Sequence, residues 1–169
     1  MFSLAARHGH LRLYGRESMG SRPLSSLVAM RRSRKQYTAQ TCIEFSPTSF
    51  QQMAGMTCYY HSPKLRYPYI SCDDEGQRQL NIMSCLGNLD LMADFPIEPK
   101  SIRKPCILPI SFDGRDWQTI DHTLDATFLS CEAGKGDGAS FTRAFVGMAC
   151  QDMTGMQKPA DFTYFHYYQ

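Results

Sequence analysis

Carboxylates are the side chains of this sequence that could do chemistry, because paired acidic residues can donate and accept a proton while a bond is cleaved. The acidic candidates are Asp73-Asp74-Glu75, Asp113, Asp116, Asp121, Asp125 and Asp152. All of them lie in turn-like or strand-end contexts, where an aspartate accepts hydrogen bonds from nearby backbone N–H groups. The sequence therefore predicts capping roles for these carboxylates and no catalytic residue.

The cysteines bear on the redox compartment. There are seven, an odd number, with no C-x-x-C pair and no Cys/His grouping of zinc-site spacing. Cys42, Cys58, Cys85 and Cys150 fall inside apolar strand-like runs, where a free thiol packs as a small hydrophobic side chain. Reduced, buried cysteines predict a reducing compartment, and a disulfide framework is the alternative.

Length, charge and hydropathy predict one soluble globular domain. The 169 residues are 43% hydrophobic and 20% charged, and the formal net charge is +2, which gives no general attraction to nucleic acid or membrane. The basic run at 31–35 favours a solvated strand edge, with a phosphate-binding groove as the alternative. The N-terminal apolar run is too short for a signal peptide, and no stretch reaches membrane-span length, so we expect a cytoplasmic protein.

The elements that must position these residues are strands. Residues 37–45 alternate between an apolar and a polar face, and residues 144–150 are apolar on both sides, as in a strand covered on both faces. Asp113-Gly114 predicts a hairpin between residues 110–112 and Trp117. No window shows sustained helical periodicity. The fold class is therefore all-β, a two-sheet antiparallel β-sandwich or jelly roll in a single domain over residues 1–169.

Several segments match one known family in order along almost the whole chain. They are Gly15-Arg-Glu-Ser18, Leu27-Val-Ala29, Phe50-Gln-Gln-Met-Ala-Gly55, Tyr59-Tyr60, Asp113-Gly114 with Trp117, Leu124-Asp-Ala126, Phe141 to Asp152 and Ala160-Asp-Phe-Thr-Tyr-Phe165. Through them the chain resembles the C-terminal concanavalin-like β-sandwich of glycoside hydrolase family 43 β-xylosidases. The resemblance implies a role in carbohydrate metabolism and xylan degradation. It also implies that the catalytic carboxylates lie in a separate β-propeller domain, so we expect a truncated, accessory domain that is inactive alone.

The resemblance implies a steric role for this domain. Family members remove xylose, and sometimes arabinose, with inversion, which needs a general acid and a general base about 6.5–9.5 Å apart. A loop of the sandwich places a phenylalanine at the lip of the propeller's pocket, against the xylo-oligosaccharide. By position this residue is Phe141, which follows a glycine-rich loop at 133–140. The alternative is that Phe141 merely begins a buried strand.

The metal candidate that the resemblance implies is Asp161. Sandwiches of this kind often tie their first and last strands with a structural calcium, which takes about 6–8 oxygen ligands. Because the sequence opens at Met1-Phe-Ser-Leu4, we expect the N-terminal segment that would supply a partner aspartate to be missing. We therefore expect at most a half-built calcium site and no required cofactor, and a turn-capping Asp161 is the alternative.

One interval departs from the family pattern. The family fits two strands between Pro99 and Phe112, whereas here the interval has room for one, and its Pro105 and Pro109 cannot donate to a ladder. A sandwich short of one strand exposes apolar surface, which would favour homo-oligomers.

Two other functions stay open. A stand-alone carbohydrate-binding, lectin-like module needs exposed aromatic side chains. Tyr59, Tyr60, Tyr67, Tyr69 and Trp117 could supply them, but they serve equally well as core. A complete small hydrolase requires a carboxylate pair that the sequence does not show.

Overall fold

The computed structural model describes residues 2–21, 24–34, 36–61, 64–86, 105–106, 109–111, 113–119, 124–125 and 144–169. Within these ranges the regular elements are strands, which confirms the all-β prediction. They are β1 (Phe2–Ser3), β2 (Leu11–Tyr14), β3 (Ser26–Arg31), β4 (Thr38–Glu44), β5 (Gln52–His61), β6 (Lys64–Cys72), β7 (Arg78–Leu86), β8 (Pro105–Cys106), β9 (Pro109–Ile110), β10 (Gln118–Thr119), β11 (Leu124–Asp125), β12 (Phe145–Asp152) and β13 (Pro159–Tyr168). The part of the chain described contains no helix long and apolar enough to cross a membrane.

A five-stranded antiparallel sheet has the order β3-β12-β5-β6-β7. Strand β12 lies between two neighbours, and successive residues Met148, Ala149 and Cys150 are all buried. Because successive side chains point to opposite faces of a sheet, both faces of β12 are covered, as its unbroken apolar sequence predicts.

A second sheet, of four strands in the order β1-β2-β13-β4, packs against the first. Leu13 and Phe162 from the four-stranded sheet meet Ala54 and Met148 from the five-stranded sheet in one hydrophobic cluster. Ile43 packs on the same cluster, so the apolar face predicted for residues 37–45 is the face turned inward.

The outer face of the five-stranded sheet is also apolar, and the segment between β2 and β3 contributes to its cover. Met19 from that segment is 2% exposed and packs with Leu65, Tyr67 and Ala149. The Tyr67 hydroxyl donates to the carbonyl oxygens of Met53 and Ala149, each at 3.1 Å. One side chain therefore ties β6 to two other strands of the sheet.

Gly147 allows β12 and β3 to approach closely. A Cβ atom at this position would lie 2.2 Å from the carbonyl oxygen of Val28 and 2.4 Å from the Cα of Ala29. Both obstacles are backbone atoms of β3, which cannot move aside as a flexible side chain could. Any larger residue therefore forces the two strands apart.

The short hairpin is where the sequence predicts it. Strand β9 pairs with β10, and Gly114 in the connection has a φ of 75°, a conformation that favours glycine. The expectation of a single strand between Pro99 and Phe112 is wrong, because β8 and β9 both lie there. Each is only two residues long and pairs with a different partner, so the interval accommodates both.

The predictions for the basic run and for the thiols are partly confirmed. Arg31 ends β3 at the edge of the five-stranded sheet, residues 32–34 begin the connection to β4, and Lys35 is outside the described residues. Cys72 and Cys150 are buried thiols that form no disulfide, whereas the Cys42 thiol is exposed on the polar face of β4.

Candidate functional site

Asp161 is the centre of an ion-pair cluster on the four-stranded sheet. It lies on β13 directly opposite Arg12 of β2 and Glu44 of β4. Arg12 donates from Nε to Asp161 Oδ1 at 2.7 Å and from Nη2 to Oδ2 at 2.8 Å. Arg7 Nη1 donates both to Asp161 Oδ2 at 2.9 Å and to Glu44 Oε2 at 2.8 Å. The cluster therefore links β2 and the loop after β1 to Asp161 of β13, and Arg7 connects the same loop to Glu44 of β4.

These guanidinium groups keep the Asp161 carboxylate charged. The hydrogen bond from Arg12 is the largest cause, and with the bond from Arg7 it lowers the pKa of Asp161 from 3.8 to about 2, against the opposing effect of burial. Asp161 is only 7% exposed, but the side chains of Arg12 and Arg7 are 25% and 38% exposed, so solvent screens the interaction in part.

The residues around Asp161 do not fit a calcium ion. Calcium needs about 6–8 oxygen ligands, and both oxygens of Asp161 already accept hydrogen bonds from cationic groups. Across the described ranges, no group of three or more His, Cys, Asp or Glu side chains is placed to hold a metal. The tie between the last strand and its neighbours, for which the resemblance implied at most a half-built calcium site, is made here by arginine.

Three of the acidic candidates cap turns, as the sequence predicts. The carboxylates of Asp73, Asp113 and Asp152 each accept hydrogen bonds from backbone N–H groups a few residues ahead. Their donors are Gln77 for Asp73, Arg115 and Asp116 for Asp113, and Thr154 and Lys158 for Asp152, at 2.7–2.9 Å. These bonds lower the pKa of Asp113 below its usual value. Asp121 and the side chain of Asp125 lie outside the described residues.

One end of the sandwich carries the start of β12; we call it the Phe145 end, where Phe145 pairs with Arg31 and Tyr59. Ala144, immediately before β12, is 2% exposed, and its carbonyl oxygen accepts a hydrogen bond from the N–H of Arg32 at 2.8 Å. The Arg31 guanidinium lies 5.8 Å from the centre of the Phe145 ring. The chain thus enters β12 from a fixed point. Phe141 itself is outside the described residues.

The aromatic residues considered for sugar binding divide into three groups by exposure. Tyr60 and Tyr67 are 2% and 0% exposed, because core packing covers both rings. The interpretation that these two tyrosines bind sugar is therefore wrong. Tyr59 and Tyr69 are half-buried against the cluster around Met19. Trp117 is exposed, beside the β9–β10 hairpin.

Another aromatic row was not predicted. Tyr164, His166 and Tyr168 alternate along the outer face of β13, and the rings of Tyr164 and His166 stack with centroids 4.5 Å apart. The Tyr168 ring meets His166 edge-on at 5.8 Å. The signal was in the sequence, since residues i, i+2 and i+4 of a strand share a face. The stack covers one face of each of the first two rings, and the Tyr168 side chain is 52% exposed.

The architecture defines a concanavalin-like β-sandwich, and comparison with known sequences places it in a family. The family described as β-xylosidase C-terminal concanavalin A-like domain matches residues 1–168, and the chain belongs to it. The resemblance read from the sequence motifs is therefore confirmed.

Similar proteins include a β-xylosidase of Bacillus subtilis strain 168, 36% identical over 177 residues, and xylosidase/arabinosidase 43B of Humicola insolens, 36% identical over 176 residues. These matches cover 98% and 94% of this chain but 33% and 32% of the relatives. A solved structure of xylan β-1,4-xylosidase from Bacillus halodurans C-125 superposes with a TM-score of 0.83 at 35% identity, over 99% of this chain and 34% of that one. The chain thus spans about a third of the length of the proteins that it matches.

Proposed function

We propose that this domain shapes the active-site pocket of a β-propeller catalytic domain in a glycoside hydrolase that acts on β-xylosides or α-arabinofuranosides. Its partners are that catalytic domain and a xylo-oligosaccharide at the shared pocket. Membership of the β-xylosidase C-terminal family supports this role. The capping roles of Asp73, Asp113 and Asp152 support the view that the catalytic acid and base come from elsewhere.

The observation that carries the proposal is the anchoring of Ala144. A loop that positions one side chain over a neighbouring domain needs an end that is held in place, because motion of the residues that anchor the loop would move that side chain away from its position. Ala144 anchors the end of the loop, because it is buried and its carbonyl oxygen accepts a hydrogen bond from the N–H of Arg32. Phe141 stands three residues earlier in the sequence, and we propose that its ring closes one side of the pocket and stacks on the sugar.

The proposal is tested by mixing two polypeptides. The part of the Bacillus subtilis β-xylosidase that precedes its match to this chain is produced alone, and its aryl-xyloside hydrolysis is measured with and without this chain. We expect the chain to raise the rate, a Phe141→Ala version to raise it about tenfold less, and Phe50→Ala to behave like the unchanged chain. Phe50 is the matched control because it is 58% exposed and lies before β5, away from the Phe145 end.

The outcome for Phe141→Ala decides the role of that residue. If this version restores as much hydrolysis as the unchanged chain, Phe141 is not a pocket residue. If no version changes the rate although each binds the catalytic part, the domain does not shape the pocket.

We also propose a cytoplasmic location and association with a second polypeptide. The buried free thiols of Cys72 and Cys150 support a reducing compartment. The exposed apolar side chains of Phe2 and Leu4 support a surface that another polypeptide covers, either the catalytic domain or a second copy of the chain.

A further inference from the structure

Strand β2 covers only the first half of β13. Their pairing runs from Pro159 opposite Tyr14 to Phe162 opposite Leu11 and stops there. From Tyr164 to Tyr168, β13 continues in register with β4 on its other side. Among the residues that the structure describes, this second half of β13 has no strand on the side where β2 ends, so its edge presents backbone groups that could pair.

A groove lies beside this edge. Its volume is about 370 Å³, and it opens between the two sheets. The residues that line it are Leu4, Gly9, His10, Leu11, Met148, Phe162, Thr163, Tyr164 and Phe165. Its floor includes the core side chains Met148 and Phe162, so an apolar side chain placed there would extend the main hydrophobic cluster.

We propose that this edge and groove accept one extended strand from the polypeptide that carries the catalytic domain. The strand would hydrogen-bond to β13 over residues 163–168 and insert at least one large apolar side chain into the groove. This is β-strand addition, in which backbone pairing gives affinity and a side-chain pocket gives specificity. The inference rests on the proposed function for the identity of the partner.

The edge of β13 over residues 163–168, unpaired among the described residues, and the groove beside it together form a notch in the four-stranded sheet. Strands β1 and β2 lie beside the first half of β13, and the loop after β1 lines the groove through Leu4 and His10. The shape of this notch favours a single strand over a second copy of this domain. A lone extended segment fits such a notch. A second domain would have to bring its own sheet and neighbouring strands into the same space.

The position of the notch favours the catalytic polypeptide as the source. The relatives that this chain matches at about a third of their length carry the remaining residues outside the match, and the family is by description a C-terminal domain. In such proteins the preceding chain joins β1, where Phe2 lies opposite Leu13 and Leu13 pairs with Ala160, so that chain arrives beside the first half of β13. Leu4 follows β1 directly, lines the groove and is 69% exposed, so the wall of the notch lies within a few residues of the preceding chain.

The test measures amide hydrogen exchange in this chain by NMR, with and without the N-terminal part of the Bacillus subtilis β-xylosidase. Alternate N–H groups of a strand point to opposite neighbours. We therefore expect about half of the amides from Thr163 to Tyr168, those not bonded to β4, to exchange at least about tenfold more slowly in the mixture. A version of the partner shortened by its last ~10 residues, about one long strand, should lose this protection.

Two variants of this chain sharpen the test. Leu4→Asp places a charge on the wall of the groove and should weaken binding about tenfold, because the incoming apolar side chain would desolvate it. Met156→Asp is the matched control, since Met156 is 75% exposed in the β12–β13 connection, which lies at the opposite end of β13 from the notch. It should bind like the unchanged chain.

Three results would overturn the inference. They are binding that leaves the 163–168 amides unprotected, protection that appears in this chain alone as its concentration rises, and equal binding by Leu4→Asp and Met156→Asp. Hydrolysis measured in the same mixtures separates this inference from the proposed function. A raised rate without protected amides refutes the notch alone, and protected amides without a raised rate refute the pocket role alone.

Discussion

Removing the charge of Asp161 should destabilise the folded chain by an amount that the ion-pair geometry sets. Asp161→Asn keeps the shape of the side chain but removes the carboxylate that Arg12 and Arg7 hold. The folded-state pKa is about 2 against an ordinary value of 3.8. Each unit of difference corresponds to about 1.4 kcal/mol, so the charge contributes roughly 2 kcal/mol to the free energy of unfolding at pH 7.

The same pKa shift fixes the pH dependence of this contribution. Because folding lowers the pKa of Asp161, the stabilisation is fully present above the unfolded-state pKa of about 4 and is lost as the pH falls towards about 2. At pH 3 the wild-type advantage over Asp161→Asn should be about half its value at pH 7.

Urea unfolding followed by far-ultraviolet circular dichroism at several pH values between 7 and 3 measures this difference. The control is Glu44→Gln, which removes the other carboxylate that Arg7 binds but one whose side chain is 54% exposed, so its effect should be much smaller. Equal stability of Asp161→Asn and wild type at pH 7 would refute the reasoning. A difference that stays constant down to pH 3 would show that the loss is steric and not electrostatic.

Two further predictions concern packing. Gly147→Ala should destabilise the chain by about 3 kcal/mol in urea unfolding, because the new Cβ meets the β3 backbone. Gly20→Ala is the control and should be nearly neutral, since a Cβ there meets only the Ser18 hydroxyl oxygen, at 3.5 Å. Equal losses of unfolding free energy in the two variants would contradict the argument. Tyr67→Phe should cost about 1–2 kcal/mol in the same assay, since it leaves two buried carbonyl groups without their donor. A neutral result would show that the carbonyls are satisfied otherwise.

Local patterns in the sequence were sufficient for β4, for β12 and for the short hairpin of β9 and β10. The alternation of residues 37–45 and the unbroken apolar run of β12 each predict how many faces the strand buries, because side-chain direction along a strand has a period of two. The hairpin at Asp113-Gly114 follows from turn chemistry alone. These features depend on residues close together in the chain.

The site needed information that no local pattern holds. Arg12 and Asp161 are 149 positions apart, and only the pairing of β2 with β13 makes them neighbours. Tyr60 and Tyr67 could have faced solvent or core, and the outcome depends on what covers each face of the sheet. The close approach at Gly147 is likewise a property of two paired strands and not of either sequence.

The accessory role is tested most directly in one polypeptide. In the Bacillus subtilis β-xylosidase, the third that matches this chain is replaced by this chain, and aryl-xyloside hydrolysis is compared with that of the same protein cut before the replaced third. We predict that the chimera hydrolyses the substrate at a rate near that of the parent and that the shortened protein does not. A folded chimera no more active than the shortened protein would contradict the account.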